Sequence, residues 1–205
     1  MKKTVVLSVL FILPLVVYLF FASGVNRFGR LPVLSGPVAT LQDFGTQEQL
    51  QGKITILGFL GTDIDNKKGV AFNLNQKIYK RFYEFTDFQM LMVVPKGSET
   101  QVEGLKKELA AFTDLKGWRF VYGDSGEIQH LFQSLGTNLN LDASGASPYV
   151  FIIDKDRNLR GRSQDEDEGL KFGFDATSVA DLNNKMVDDV KIILAEYRLA
   201  LKKNR

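Results

Sequence analysis

The chain has 205 residues, with 26 basic side chains, 24 acidic side chains, one histidine and no cysteine. The balanced charge gives no basic stripe of the kind that nucleic-acid binding needs. The absence of cysteine excludes disulfides, thiolate metal ligands and thiol–disulfide exchange. About 175 residues follow an apolar N-terminal segment, which is enough for one domain with its own core.

The N-terminal segment is an uncharged apolar run at residues 4–25, directly after two lysines. About 20 apolar residues cross the hydrocarbon core of a bilayer as a helix, whereas a signal-peptide core has about 7–15. We therefore predict a transmembrane anchor in residues 1–25, with cleavage near residues 22–24 as the alternative. The lysines favour a cytoplasmic N-terminus, so we expect residues 31–205 on the periplasmic side of the inner membrane.

The next segments predict a linker, a strand and a helix. Residues 26–52 contain several prolines and glycines and are predicted to be a linker into a domain at residues 53–205. Residues 53–60 are apolar and β-branched, which is typical of a strand buried on both faces. A polar loop is predicted at residues 61–69, followed by an amphipathic helix. The buried face of that helix is predicted to contain Phe72, Ile78, Tyr79, Phe82 and Phe85.

Strands and helices then alternate along the chain. Residues 88–94 and 118–122 are predicted to be strands. Capping-box patterns at residues 98–101 and 124–127 predict the start of the helix that follows each strand.

The last third of the chain predicts a hairpin and a helix. Residues 149–153 are predicted to be a strand, and the turn at residues 154–158 joins them to residues 159–162 as a hairpin. An acidic run, Asp165 to Glu168, precedes a final helix that is predicted to start near Thr177 or Ser178.

The order β-α-β-α-β-α-β-β-α predicts a parallel core sheet with helices on both faces and an antiparallel edge. The fold class is therefore α/β, thioredoxin-like, with a mixed sheet preceded by one transmembrane helix. Pro148 stands directly before the fourth strand, where such folds usually carry a cis-proline. The sequence leaves both the cis and the trans form of this bond open.

Four landmarks occur in the order that one known family shows. They are Glu99-Thr100, Gly117-Trp118-Arg119-Phe120 with Gly123-Asp124, Phe151 to Asp156 with Arg160-Gly161, and Phe174-Asp175-Ala176-Thr177. In these motifs the chain resembles the Sco/SenC family, which are membrane-tethered thioredoxin-fold proteins that handle copper during cytochrome c oxidase assembly.

The functional residues that the resemblance implies are missing. The family has two cysteines after the first strand, and here Ile64 and Lys68 occupy those positions, with Asp65 and Gly69 in place of prolines. The family's histidine falls before the fourth strand, and residues 143–147 contain none. Copper sites of this type need thiolate and imidazole ligands. We therefore predict a degenerate member with no thiol redox activity, no enzymatic activity, no cofactor and no metal site.

The predicted function is a non-catalytic binding module, tethered to the membrane beside its partner so that the effective concentration is high. The resemblance implies that the partner is a respiratory complex of the cytochrome oxidase type, with this chain as an accessory subunit or an assembly factor. The candidate binding residues lie in the two degenerate site loops and are Thr62, Asp63, Ile64, Asp65, Lys68, Ser147 and Pro148.

A metal-handling protein with non-thiol ligands is the alternative. Its candidate ligands are Met90, Met92, His130 and nearby carboxylates, which would have to share one pocket. Core packing of the methionines and a surface position for His130 are the simpler interpretations. Likewise, the acidic run at residues 165–168 is interpreted as a solvated loop, with a docking surface for a basic partner as the alternative.

Overall fold

The computed structural model describes residue 3, residues 10–18 and residues 29–203. Residues 10–18 are helical and their side chains are exposed. Within the described residues, no helix is both long enough and apolar enough to cross a membrane. Most of the predicted anchor, residues 4–25, lies outside the described residues.

Residues 29–203 contain nine strands, four helices and a short 3-10 turn at Gln42–Phe44. The strands are β1 (Val33–Ser35), β2 (Ile54–Phe59), β3 (Phe88–Pro95), β4 (Trp118–Gly123), β5 (Tyr149–Ile153), β6 (Leu159–Arg160), β7 (Arg162–Asp165), β8 (Gly169–Lys171) and β9 (Phe174–Asp175). Helix α1 runs through Ile64–Leu74, a π-helical turn Asn75–Tyr79 and Lys80–Phe82; α2 is Glu99–Ala110; α3 is Ser125–Gln133; α4 runs through Val179–Asp181, a π-helical turn Leu182–Met186 and Val187–Lys203.

The main sheet has the strand order β1-β6-β5-β2-β3-β4, and β9 pairs with β5 outside this path. Strands β2, β3 and β4 are parallel, whereas β5 pairs with β2 in the antiparallel direction. Strand β2 is thus a central member of a mixed sheet, as predicted. Strands β7 and β8 form a separate two-stranded hairpin.

Side chains of the central strands alternate between two apolar clusters, one on each face of the sheet. Met90 and Met92 pack into the cluster that helices α1, α2 and α4 cover. Leu91 and Val93 pack into the cluster covered by α3 and by the segment that precedes β2. The predicted mixed α/β sheet with helices on both faces is therefore confirmed, and it fixes the carboxyl ends of β2, β3 and β4 at one end of the molecule.

The segment at residues 26–52, predicted as a linker, contributes to the domain over its described part. It supplies strand β1, which pairs with β6 in the antiparallel direction. It also supplies five buried apolar side chains, namely Leu31, Val38, Leu41, Phe44 and Leu50.

The predicted polar loop at residues 61–69 is wrong over most of its length, because helix α1 begins at Ile64. The first turns of this helix are mostly polar, so their sequence lacks the apolar spacing that would have predicted a helix. Phe85, predicted on the buried face, lies beyond the helix and is 41 % exposed.

Only one of the two predicted capping boxes forms. The Asp124 carboxylate accepts a hydrogen bond from the backbone N–H of Glu127, and the Glu127 carboxylate accepts one from the backbone N–H of Asp124. The Ser98 side chain makes no cap bond to α2. Gln101 instead accepts a hydrogen bond from the backbone N–H of Ile64, so it caps α1 rather than its own helix.

Candidate functional site

The two predicted site loops meet at the carboxyl end of strand β2. Leu60 and Ala146 form an isolated antiparallel bridge. The backbone N–H of Thr62 donates to the Ser144 carbonyl at 3.1 Å, and that of Ser147 donates to the Phe59 carbonyl at 3.0 Å. The structure thus joins residues 60–62 to residues 144–147.

Gly61 permits this close approach. Its φ angle of +68° lies in the left-handed region, which favours glycine. A Cβ atom at this position would lie 2.5 Å from Ser144 Oγ and 2.8 Å from the Cβ of Ala146. The junction between the two loops therefore depends on the absence of a side chain at residue 61.

A second connection between the loops is made by three side chains, which we name the loop clamp: Lys67, Asp142 and Ser144. Lys67 Nζ donates to Asp142 Oδ2 at 2.8 Å and to Ser144 Oγ at 2.9 Å. Asp142 Oδ1 accepts from the backbone N–H groups of Ser144 and Ala146 and from Ser144 Oγ. Burial works against ionisation of Asp142, but the bonds from Lys67, Ser144 and Ala146 outweigh it and hold its pKa well below the ordinary value.

The residues at the two positions where the resemblance implies cysteines have structural contacts of their own. Ile64 is fully buried in the core beneath α1. Lys68 Nζ lies 3.0 Å from Asp65 Oδ1 and 2.7 Å from Glu108 Oε1, so it ties α1 to α2. Its hydrogen bonds to Glu108 and Asp65 raise the pKa of Lys68, which is therefore a charged side chain at neutral pH.

The other predicted site residues divide into exposed and buried groups. Thr62, Asp63, Asp65 and Pro148 are exposed at the carboxyl end of the sheet. Ser147 is buried, and its Oγ accepts a hydrogen bond from the backbone N–H of Tyr149.

One side-chain contact and one peptide bond complete the description of the loops. The Asp63 carboxylate accepts hydrogen bonds from the Asn66 side chain, at 2.9 and 3.0 Å. Within residues 29–203 the cis peptide bond joins Gly36 and Pro37, so the bond before Pro148 is trans.

Four residues that shape the site were not predicted, and these are Lys67, Gln101, Asp142 and Ser144. The chain separates Lys67 from Asp142 by 75 residues and Ile64 from Gln101 by 37 residues. Polar residues in a loop give no local pattern that would pair them over such distances. The clamp can therefore be recognised only once the fold brings its members together.

The groups of the alternative metal-handling hypothesis are not brought together. Met90 and Met92 are fully buried on one face of the sheet. His130 lies on α3, on the opposite face, where its side chain is 66 % exposed and its Nδ1 lies 3.7 Å from Asp43 Oδ2. In the described part of the chain, no group of three or more histidine, cysteine or acidic side chains has the geometry of a metal site.

The acidic run is an exposed turn at residues 166–168, as interpreted, but its first residue, Asp165, is buried. Asp165 has no exposed side-chain surface and accepts from Lys185 Nζ at 2.7 Å. Asp167 pairs with the same Lys185 at 2.6 Å, and Glu168 pairs with the buried Lys171. Lys185 and Lys171 therefore offset part of the negative charge of this run.

The landmarks of the sequence resemblance lie at both ends of the domain. The landmark at residues 174–177 contacts a site loop, because the backbone N–H of Ala176 donates to the Pro148 carbonyl at 2.9 Å. The most buried landmark forms what we name the hairpin cluster: Asp154, Arg160, Glu196 and the carbonyl of Leu31. Arg160 Nη1 donates to Asp154 Oδ2 at 3.0 Å, Nη2 to Glu196 Oε2 at 2.6 Å and Nε to the Leu31 carbonyl at 2.7 Å. This landmark therefore holds the amino-terminal end of the domain together.

The sheet order, the helices on both faces and the loop pair at the end of β2 define a thioredoxin-like fold. A provisionally assigned electron transfer protein from Aquifex aeolicus VF5 is similar to 80 % of this chain over 98 % of its own length, with 16 % identity and a TM-score of 0.52.

Two Sco family proteins are also among the structural neighbours. BsSco, a member of the Sco family of cytochrome c oxidase assembly proteins, matches 83 % of this chain over 98 % of its own length, with 13 % identity and a TM-score of 0.45. Arabidopsis thaliana ScoI with copper bound matches 77 % of this chain over 98 % of its own length, with 19 % identity and a TM-score of 0.43. No family model and no curated protein sequence matches the chain. At 16 % identity, the comparison with the Aquifex aeolicus protein shows a shared fold alone.

Proposed function

We propose that the chain is a non-catalytic, thioredoxin-like binding module that is held at the outer face of a membrane by residues 1–25. Its site loops dock onto a membrane protein complex of the cytochrome oxidase type. The observation that carries the proposal is the loop junction: the positions that the resemblance assigns to chemistry hold a buried Ile64 and an ion-paired Lys68. The surface around them stays exposed.

The chemistry of the loops supports recognition rather than catalysis. No sulfur nucleophile exists in the sequence, and thiol–disulfide exchange requires a thiolate. The exposed residues Thr62, Asp63 and Pro148 lie beside backbone that the loop clamp holds in place. A preorganised surface loses little conformational entropy on binding, which favours affinity.

The partner class comes from the resemblance to the Sco/SenC family. The tether adds a physical reason, because a second contact made from the membrane becomes effectively intramolecular.

Co-purification from gently solubilised membranes tests the proposal. The full-length chain should be retained with the oxidase-type complex, and a Thr62→Arg/Pro148→Arg variant should lose most of that association because both side chains lie on the exposed loops. A Gln76→Arg/Ala110→Arg variant is the matched control, since it adds the same charge at exposed helix positions. Equal retention of both variants would contradict a role for the loops.

A further inference from the structure

The end of the domain opposite the site loops carries a basic surface, which we name the basic end: Lys53, Lys116, Arg119, Lys155 and Arg198. These side chains line two neighbouring cavities of about 490 and 270 Å³, which share Phe85 and Thr86 in their walls. The acidic residues of the same walls are Glu48, Glu84 and Asp87. Five cations thus face three carboxylates at this end.

The site-loop end has the opposite charge. A cavity of about 380 Å³ beside Tyr149 is lined by four carboxylates and one lysine, namely Asp167, Glu168, Asp175, Asp181 and Lys185. Lys171, which is buried, pairs with Glu168 and Asp181, so two lysines offset part of this charge. The cavity lining at the site-loop end is still more negative than the lining at the basic end. An anionic surface would therefore attract the basic end more strongly than the site-loop end.

The point where the tether joins the domain is close to the basic end. The carbonyl of Leu31 and the carboxylate of Glu196 bind the same guanidinium group, that of Arg160. Six residues separate the apolar run at residues 4–25 from residue 32, and they span at most about 20 Å. Glu196 lies seven residues before Lys203, the last described residue of α4, which is about 10 Å along a helix.

The final helix, α4, adds further positive charge and exposed apolar surface near the basic end. Arg198 and Leu199 are exposed, with Leu199 at 40 %. The sequence continues with Lys202, Lys203 and Arg205. Basic side chains combined with exposed apolar ones are the composition that binds anionic headgroups at a membrane surface.

We infer that the basic end lies on the anionic lipid surface of the membrane that holds the tether, which turns the site loops away from the bilayer. This inference rests on the proposed function, because the anchor brings the domain within reach of the lipid. The arrangement would give the site loops a fixed height and direction for docking.

The absence of cysteine allows a direct test with single labels. The full-length protein carrying Leu199→Cys or Ala143→Cys is labelled with a polarity-sensitive dye and placed in nanodiscs of phosphatidylcholine, with or without phosphatidylglycerol. We expect the label at residue 199 to be shielded from an aqueous quencher in anionic discs only, in a manner that salt reverses. The label at residue 143, in the exposed site loop, should stay equally accessible in both discs.

Charge-reversal variants distinguish a contact made by the basic end from a general effect of the protein's net charge. Lys116→Glu/Arg198→Glu should reduce the shielding of residue 199, by about fivefold for each cation removed. Lys107→Glu/Lys191→Glu changes the net charge equally at exposed positions on α2 and α4 and should leave the shielding unchanged. Equal shielding in neutral lipid, equal effects of the two variants, or shielding of residue 143 instead would overturn the inference.

A separate measurement reports whether residues 1–25 anchor the chain in the membrane. Retention of the chain in the discs after an alkaline wash reports the anchor alone, and loss of the chain would overturn both the tether and the lipid-facing surface. Retention with no shielding would overturn only the surface. Shielding of residue 199 that appears only with the partner complex in neutral discs would assign the basic end to a protein instead and contradict the lipid contact.

Discussion

At each end of the sheet, charged side chains connect distant parts of the chain. The two sets of ion pairs differ in how deeply they are buried. In the hairpin cluster the Asp154 and Arg160 side chains are only 2 % and 5 % exposed. In the loop clamp the Lys67 and Asp142 side chains are 29 % and 51 % exposed. A buried ion pair cannot lose one partner without leaving an unpaired charge in the interior, whereas an exposed pair can be replaced at little cost.

This difference in burial parallels a difference in resemblance between the hairpin landmark and the site loops. The landmark with Asp154 and Arg160 is buried, so replacing either residue would be strongly destabilising. This landmark is also easily recognised in the sequence. In the site loops the expected functional residues are absent: one of their positions holds the buried, apolar Ile64 and the other holds the ion-paired Lys68. Resemblance in buried landmarks therefore supports an assignment of fold more strongly than an assignment of activity.

The largest expected effect comes from Arg160→Met, which should lower the free energy of unfolding by about 3–5 kcal/mol because Asp154 keeps a buried charge without its partner. Urea denaturation of the detergent-solubilised full-length protein measures this. Lys191→Met removes an exposed pair with Asp188 and should cost less than about 1 kcal/mol. Similar losses in the two variants would break the comparison between buried and exposed pairs.

Gly61→Ala should be the next most destabilising change, at about 1–3 kcal/mol, because an L side chain is strained at a positive φ angle and would collide with Ser144. The same urea measurement applies. Gly69→Ala is the matched control, since residue 69 lies inside α1 with open space around it, and it should increase stability by up to about 1 kcal/mol. A stable Gly61→Ala variant would show that the loop junction can relax.

An Asp165→Asn variant tests whether the site-loop end also contains a buried, ionised carboxylate. Burial opposes its ionisation, but hydrogen bonds from Lys185 and from the backbone N–H groups of Asp167 and Glu168 outweigh it and lower the pKa to about 2. Because the folded-state pKa is below the unfolded value, this stabilisation is complete above about pH 4 and is lost as the pH falls towards 2.

The corresponding measurement is the urea midpoint as a function of pH. Between about pH 4 and pH 2, the free energy of unfolding of the wild type should fall by about 1–2 kcal/mol more than that of Asp165→Asn. Identical pH profiles for the two proteins would show that Asp165 is not the group that titrates.

The smallest effect is expected for Lys67→Met, at less than about 1 kcal/mol, since its ion pair with Asp142 is largely exposed. Its consequence should be local instead. Hydrogen exchange at the backbone N–H of Thr62, Ser144 and Ala146 should accelerate, while exchange in β2 and β3 stays unchanged. A global loss of stability as large as that of Arg160→Met would show that the two ends are held in the same way.

Much of the fold could be predicted because it follows local patterns. The apolar runs of β2, β3 and β5 predicted central strands, and the Asp124 capping box predicted the start of α3. The start of α1 at Ile64 was missed because its first turns are polar. Strand β1 was missed because only its pairing with β6 defines it.

The site was less predictable than the fold. The resemblance indicated which two loops would meet, and the junction at Leu60 and Ala146 agrees with that. The contacts that shape the loops, such as Lys67 with Asp142, join residues that are remote in the chain. Burial of Asp165 was also missed, because a carboxylate is buried only when a partner such as Lys185 is present, and the sequence does not show that pairing.

The bond between Arg160 and the Leu31 carbonyl spans 129 residues, and the third partner of the guanidinium is Glu196. The cluster therefore draws on the beginning, the middle and the end of the domain. During synthesis it can close only after Glu196 has left the ribosome. Until then Arg160 lacks its last partner, so the complete cluster forms only after the strands that it joins have been synthesised.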